Sequence, residues 1–146
     1  MPEEEQALPD SHCLVKPDFT GHWKADLAQS KLLGLQPKAM TMHIDHSDPD
    51  LRQEIVVTKE DGSEEQITFR CRINGEPDQC RFNEKQVRGS AQWQGDELVI
   101  EIWIENGGRE FYLCDCWSLS PDGQTLTMEH RNDALAGQVA VLRRTN

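Results

Sequence analysis

The chain has 146 residues, 36% of them hydrophobic, with a mean hydropathy of −0.70 and a formal net charge of −11. That length suits one domain with room for a real core, and no stretch approaches the roughly 20 apolar residues of a helical membrane span. The acidity argues against nucleic-acid and anionic-membrane partners, which require clustered Lys and Arg facing phosphates, and reads as a solubility feature.

Residues 1–17 are acidic and polar with three prolines and are expected to form a flexible arm ahead of a single domain at 18–146. The opening Met1-Pro2-Glu3-Glu4-Glu5 has neither the basic nor the apolar region of a signal peptide, which predicts a cytoplasmic chain. Five cysteines without such a signal fit reduced thiols.

A first strand is predicted over 19–25. It is followed by Asp26-Leu27-Ala28-Gln29-Ser30-Lys31-Leu32-Leu33, which can cap and form about two helical turns before Gly34 and Pro37 stop it. Strands follow at 38–46, 51–59, 64–73, 79–82, 86–94, 97–105, 109–119, 125–131 and 138–144. Between them stand turn-forming runs such as Ser47-Asp48-Pro49-Asp50, Glu60-Asp61-Gly62, Gly95-Asp96 and Pro121-Asp122-Gly123. Many consecutive strands with short links predict an all-β, antiparallel up-and-down barrel of about eight to ten strands with one short helix after the first; the alternative is a Greek-key sandwich.

Register can be read from the turns. A two-residue Gly95-Asp96 turn sets Trp93 opposite Leu98, Ala91 opposite Ile100, Gly89 opposite Ile102 and Val87 opposite Ile104. A slip by one residue would expose that apolar face. If 73–78 links a hairpin, Phe69 faces Phe82 and Cys71 faces Cys80, as thiols or as a disulfide. Cys114-x-Cys116 lacks the Cys-x-x-Cys spacing of redox and zinc sites and reads as small packing residues.

Phe19-Thr20-Gly21-His22-Trp23-Lys24 carries a Phe-x-Gly-x-Trp that resembles the opening of the calycins, the lipocalins and fatty-acid-binding proteins. In that superfamily a basic residue of the last strand packs over the early tryptophan, which implies Arg143 or Arg144 over Trp23. Residues 18–144 also resemble uncharacterised bacterial lipocalin-like proteins, through Trp93-Gln94-Gly95-Asp96-Glu97-Leu98-Val99-Ile100 and Trp117-Ser118-Leu119-Ser120-Pro121-Asp122-Gly123. The link after the first strand is too short for the two-helix lid of fatty-acid-binding proteins. No tyrosine follows Arg143 or Arg144 to complete their carboxylate site.

Extending the register sets Asn106 opposite Arg109, which places Phe111, Leu113, Asp115 and Trp117 inward and Tyr112, Cys114 and Cys116 outward. Across the next turn Leu119 meets Leu126, Trp117 meets Met128 and Asp115 meets His130. An unpaired buried carboxylate would cost several kcal/mol, so Asp115 requires a partner. The pair is either an internal contact that fixes register or a polar anchor for a ligand, with a base oriented by an acid as the catalytic alternative.

His43 and His46, three apart in a strand, diverge, so no metal is expected, and His22 alternates outward. Met40, Met42 and Ile44 form an inward stripe, and Gln53 faces inward if Glu60-Asp61-Gly62 is a three-residue loop. The leading expectation is a small, largely apolar ligand lined by Trp23, Met42, Phe69, Trp93, Ile100, Ile102, Leu113, Trp117 and Met128, oriented by Asp115 and His130, without a cofactor. Alternatives are a proton-transfer enzyme using His130 and Asp115, and an interaction module whose outer face, around Val99 and Trp103, mediates dimerisation.

Overall fold

The computed structural model describes residues 17–32, 36–76, 80–132 and 137–145. Most of the expected acidic arm lies outside the described residues. Ten antiparallel strands follow one another along the chain: β1 (Gly21–Ala25), β2 (Ala39–Ser47), β3 (Asp50–Thr58), β4 (Glu64–Arg72), β5 (Cys80–Phe82), β6 (Lys85–Gln94), β7 (Glu97–Asn106), β8 (Arg109–Leu119), β9 (Thr125–Asn132) and β10 (Gln138–Thr145). Each pairs with its chain neighbours, and β1 also pairs with β10, so the sheet closes into an up-and-down barrel.

The register follows the alternation of the sequence. Trp93 stands opposite Leu98, Ala91 opposite Ile100 and Gly89 opposite Ile102, and the ladder reaches Arg88 opposite Trp103. Asn106 pairs with Arg109, Asp115 with His130 and Trp117 with Met128. The β3–β4 loop closes with Lys59 N–H donating to the Ser63 carbonyl at 2.8 Å, leaving Glu60, Asp61 and Gly62 as its three-residue tip. Gln53 consequently faces the interior and is buried.

Two expectations are corrected. The segment after β1 forms a turn instead of a helix: Gln29 N–H donates to the Asp26 carbonyl at 3.1 Å, Ser30 N–H to the Leu27 carbonyl at 3.4 Å, and Lys31 then bridges to Val139. Ser30 is the reason. Its Oγ accepts from Val141 N–H at 2.9 Å, which draws the chain onto β10 before a second helical turn can form, and residues 33–35 lie outside the described set. The second is the general expectation of reduced thiols, which fails at Cys71 and Cys80: of the two states left open for this facing pair, it takes the disulfide. Gly89 makes room for it, since a Cβ there would lie 2.9 Å from the Cys80 sulfur and 3.0 Å from the Glu101 carbonyl oxygen.

One end of the barrel is filled with aromatic rings. Phe19, fully buried, stacks on Trp93 at 5.9 Å between centroids and meets Trp117 edge-on at 5.5 Å. His46 stacks on Phe19 at 5.6 Å, and its Nδ1 accepts from the Phe19 N–H at 3.3 Å. Trp23 Nε1–H donates to the Phe19 carbonyl at 3.0 Å, and the Arg144 guanidinium lies 4.3 Å from the centre of the Trp23 ring. Arg144 also donates to the carbonyls of Thr20 at 2.6 Å and Gly123 at 3.0 Å, tying three chain segments together. Of the two adjacent arginines, Arg144 therefore covers Trp23, and Arg143 points to the other face and pairs with Asp26 at 3.2 Å. Gly21 permits this arrangement: its φ is 146°, and a Cβ there would meet the Arg144 Nη1 at 2.5 Å.

Candidate functional site

The opposite half of the barrel is not filled. A cavity of about 330 Å3 lies between the inward side chains of β2, β3, β4, β5, β7, β8, β9 and β10. Its wall is apolar apart from Gln53, Asp115, His130 and Gln138. A separate groove of about 610 Å3 beside the β3–β4 turn shares Met40, Val57, Gln138 and Ala140 with the cavity wall.

The residues expected to face a ligand divide into two groups. Met42, Phe69, Ile100, Ile102, Leu113, Asp115, Trp117, Met128 and His130 all line the cavity. Trp23 and Trp93 do not: Trp23 is sealed beneath Arg144 and Trp93 stacks on Phe19, both in the filled end. Alternation correctly turned both inward, but strand tilt set them at a different height along the barrel axis.

Asp115 is held on both oxygens. Oδ1 accepts a hydrogen bond from His130 Nδ1, and Oδ2 lies 3.5 Å from the Trp117 indole N–H. The pairing follows from the β8–β9 turn, which sets the two side chains directly opposite on the inner face. Their side chains are 28% and 29% exposed, at the wall of the cavity rather than inside a packed core. The hydrogen bond to Asp115 raises the His130 pKa above the ordinary histidine value; burial opposes this without cancelling it. With Nδ1 committed to Asp115, His130 Nε2 has no hydrogen-bond partner among the described residues. It accepts a proton when the ring is neutral and donates one when it is charged.

Gln53 is the second polar group in the wall. It is 5% exposed, and its amide N–H2 contacts the thioether sulfurs of Met42 at 3.1 Å and Met128 at 4.0 Å, both weak acceptors. Its carbonyl oxygen accepts no hydrogen bond from the described residues. A polar ligand atom in the cavity would thus find an amide and an imidazole, each with unused capacity.

Outside the barrel, Trp103 meets Tyr112 in a tilted arrangement with ring centroids 5.5 Å apart, and lies beneath the Arg88 guanidinium at 4.9 Å. Tyr112 donates to Glu101 at 2.6 Å, which together with burial pushes its hydroxyl pKa up. Burial likewise raises the Cys116 thiol, reinforced by Glu97, to about 12, and burial raises Cys114. Both shifts disfavour the thiolate, the nucleophilic form of cysteine. His22 and His43 stack on the outer face at 4.3 Å, a cross-strand pair that reading single strands does not reveal.

Comparison of the sequence with protein-family models and with curated proteins gives no match.

Proposed function

We propose that the barrel binds a small, largely apolar molecule with one polar end, and that the chain is a calycin-like, lipocalin-like binding protein. The observation that supports this best is an apolar cavity of about 330 Å3 with an oriented His130 in its wall. That volume falls within the roughly 300–1,000 Å3 of small-molecule sites. The apolar body of the ligand packs against Met42, Ile100, Ile102 and Met128. The methionines suit this role because their unbranched chains adjust to irregular shapes. The polar end, a hydroxyl, carbonyl or carboxylate oxygen, sits at His130 Nε2, with Gln53 as a second contact.

Native mass spectrometry of protein purified from its own host tests this reading. A retained compound of mainly hydrocarbon character is expected. His130→Phe keeps the shape but removes a hydrogen bond worth about 1–3 kcal/mol, so affinity should fall by roughly 5- to 150-fold. A wild-type protein that retains nothing and takes up no apolar compound would end the proposal.

A second reading is favoured by one detail. The acid holds one imidazole nitrogen and leaves the other to the cavity, as a general base requires. Under this reading the barrel catalyses a proton transfer, with His130 as base and Asp115 as the residue that fixes its tautomer. Asp115→Asn should then abolish turnover while leaving ligand affinity largely intact.

A further inference from the structure

The outer face of β3, β4 and β5 gathers positive charge in an otherwise acidic chain. Arg52 stands directly opposite Arg70, and Arg70 directly opposite Arg81, so three arginines form one row across three adjacent strands. Arg72 lies two residues beyond Arg70 on the same face. Asp45 opposite Arg52 and Gln86 opposite Arg81 end the row. Together with Asp50 these side chains line an open recess of about 700 Å3, where four guanidinium groups face two carboxylates.

Their pairing is incomplete. Arg52 is held by Glu54 at 2.8 Å and Arg72 by Asp50 at 3.6 Å, and Arg81 donates to the Glu84 carbonyl at 3.2 Å. The side chain of Arg70, the middle of the row, has no hydrogen bond or ion pair among the described residues. It is flanked by like charges on strands about 4.8 Å away, an arrangement that costs stability until an anion offsets it.

We infer that this recess binds a ligand carrying two neighbouring phosphate groups. Arginine forks match phosphate oxygens in pairs of parallel hydrogen bonds, and two forks saturate one phosphate. A row of three with Arg72 beside it therefore presents enough donors for two phosphates side by side. The site is separate from the interior cavity, because these side chains point away from the barrel axis.

Calorimetric titration of the full chain with inorganic pyrophosphate at low ionic strength is the test. Saturable one-to-one binding is expected, weakening steeply with added salt. Arg70→Gln should lower affinity at least tenfold, and Arg70→Lys should also weaken it, because charge without the fork is not enough. Arg88→Gln, outside the recess, should leave affinity unchanged. The melting midpoint of Arg70→Gln should hold or rise, since one of three facing like charges is gone. In parallel, co-sedimentation with phosphatidylcholine vesicles containing phosphatidylinositol 4,5-bisphosphate distinguishes the sources. Pelleting lost in Arg70→Gln assigns the phosphates to a lipid headgroup, and pyrophosphate binding without pelleting assigns them to a soluble ligand. Absence of both, or binding that Arg70→Gln leaves untouched, would overturn the inference.

Discussion

The two ends of the barrel are built from the same alternating strands yet are filled in opposite ways. At one end Phe19 enters from outside the sheet and is clasped by Trp93, Trp117 and His46, while Trp23 is sealed by Arg144. At the other, aliphatic and methionine side chains of similar hydrophobicity surround space, with Asp115, His130 and Gln53 among them. Hydrophobicity alone therefore does not decide whether a barrel is packed or hollow. What decides it here is a side chain supplied from outside the strands, together with rings large enough to meet across the interior. Trp117 belongs to both halves, closing against Phe19 on one side and bracing Asp115 on the other.

If the filled end carries the stability and the hollow end the binding, substitutions should separate the two. Phe19→Ala removes the plug and leaves a void among rings that cannot collapse, and should cost about 3–5 kcal/mol in urea unfolding. A cost below about 1 kcal/mol would show that the plug is not needed. Arg144→Ala removes a cation over Trp23 and two carbonyl contacts, and should cost about 1–3 kcal/mol without altering ligand uptake.

The pH dependence sharpens the contrast at the hollow end. Because folding raises the His130 pKa, the folded state holds this proton more tightly than the unfolded chain. The resulting stabilisation is complete below the ordinary histidine value near 6.5 and is lost as pH rises through the raised value. The stability difference between wild type and His130→Gln should thus shrink from mildly acidic to alkaline pH. A difference independent of pH would argue against the Asp115 contact as its cause. The smallest stability effect is expected for Leu113→Trp, which places an indole into empty space and should shift stability by no more than about 1 kcal/mol.

Much of this contrast was hidden in the sequence, though the strands were not. Two-residue turns made the pairing of Trp93 with Leu98 countable, and the same counting across Pro121-Asp122-Gly123 brought Asp115 to His130. Alternation, however, reports which face a side chain occupies and not how far along the barrel axis it sits. Trp23 and Trp93 therefore read as cavity walls when they are part of the plug. Phe19 could not be recognised as that plug, because its role depends on closure of β1 against β10, residues more than a hundred positions apart in the chain. His46 was likewise read only against His43, on its own strand, whereas its partners are Phe19 and Asp48. The turn after β1 escaped for a different reason: Asp26 and Ser30 are good helix-capping residues and equally good turn residues, and contact with β10 chose between them.

The central claim, that the space above Trp117 is a binding site, is tested most directly by fluorescence titration of an apolar naphthalene dye into wild type and Leu113→Trp at equal fold stability. Saturable binding of one dye per wild-type chain, weakened at least tenfold when the indole occupies the cavity, is the predicted result. Equal binding by both proteins would place the dye elsewhere and contradict the account.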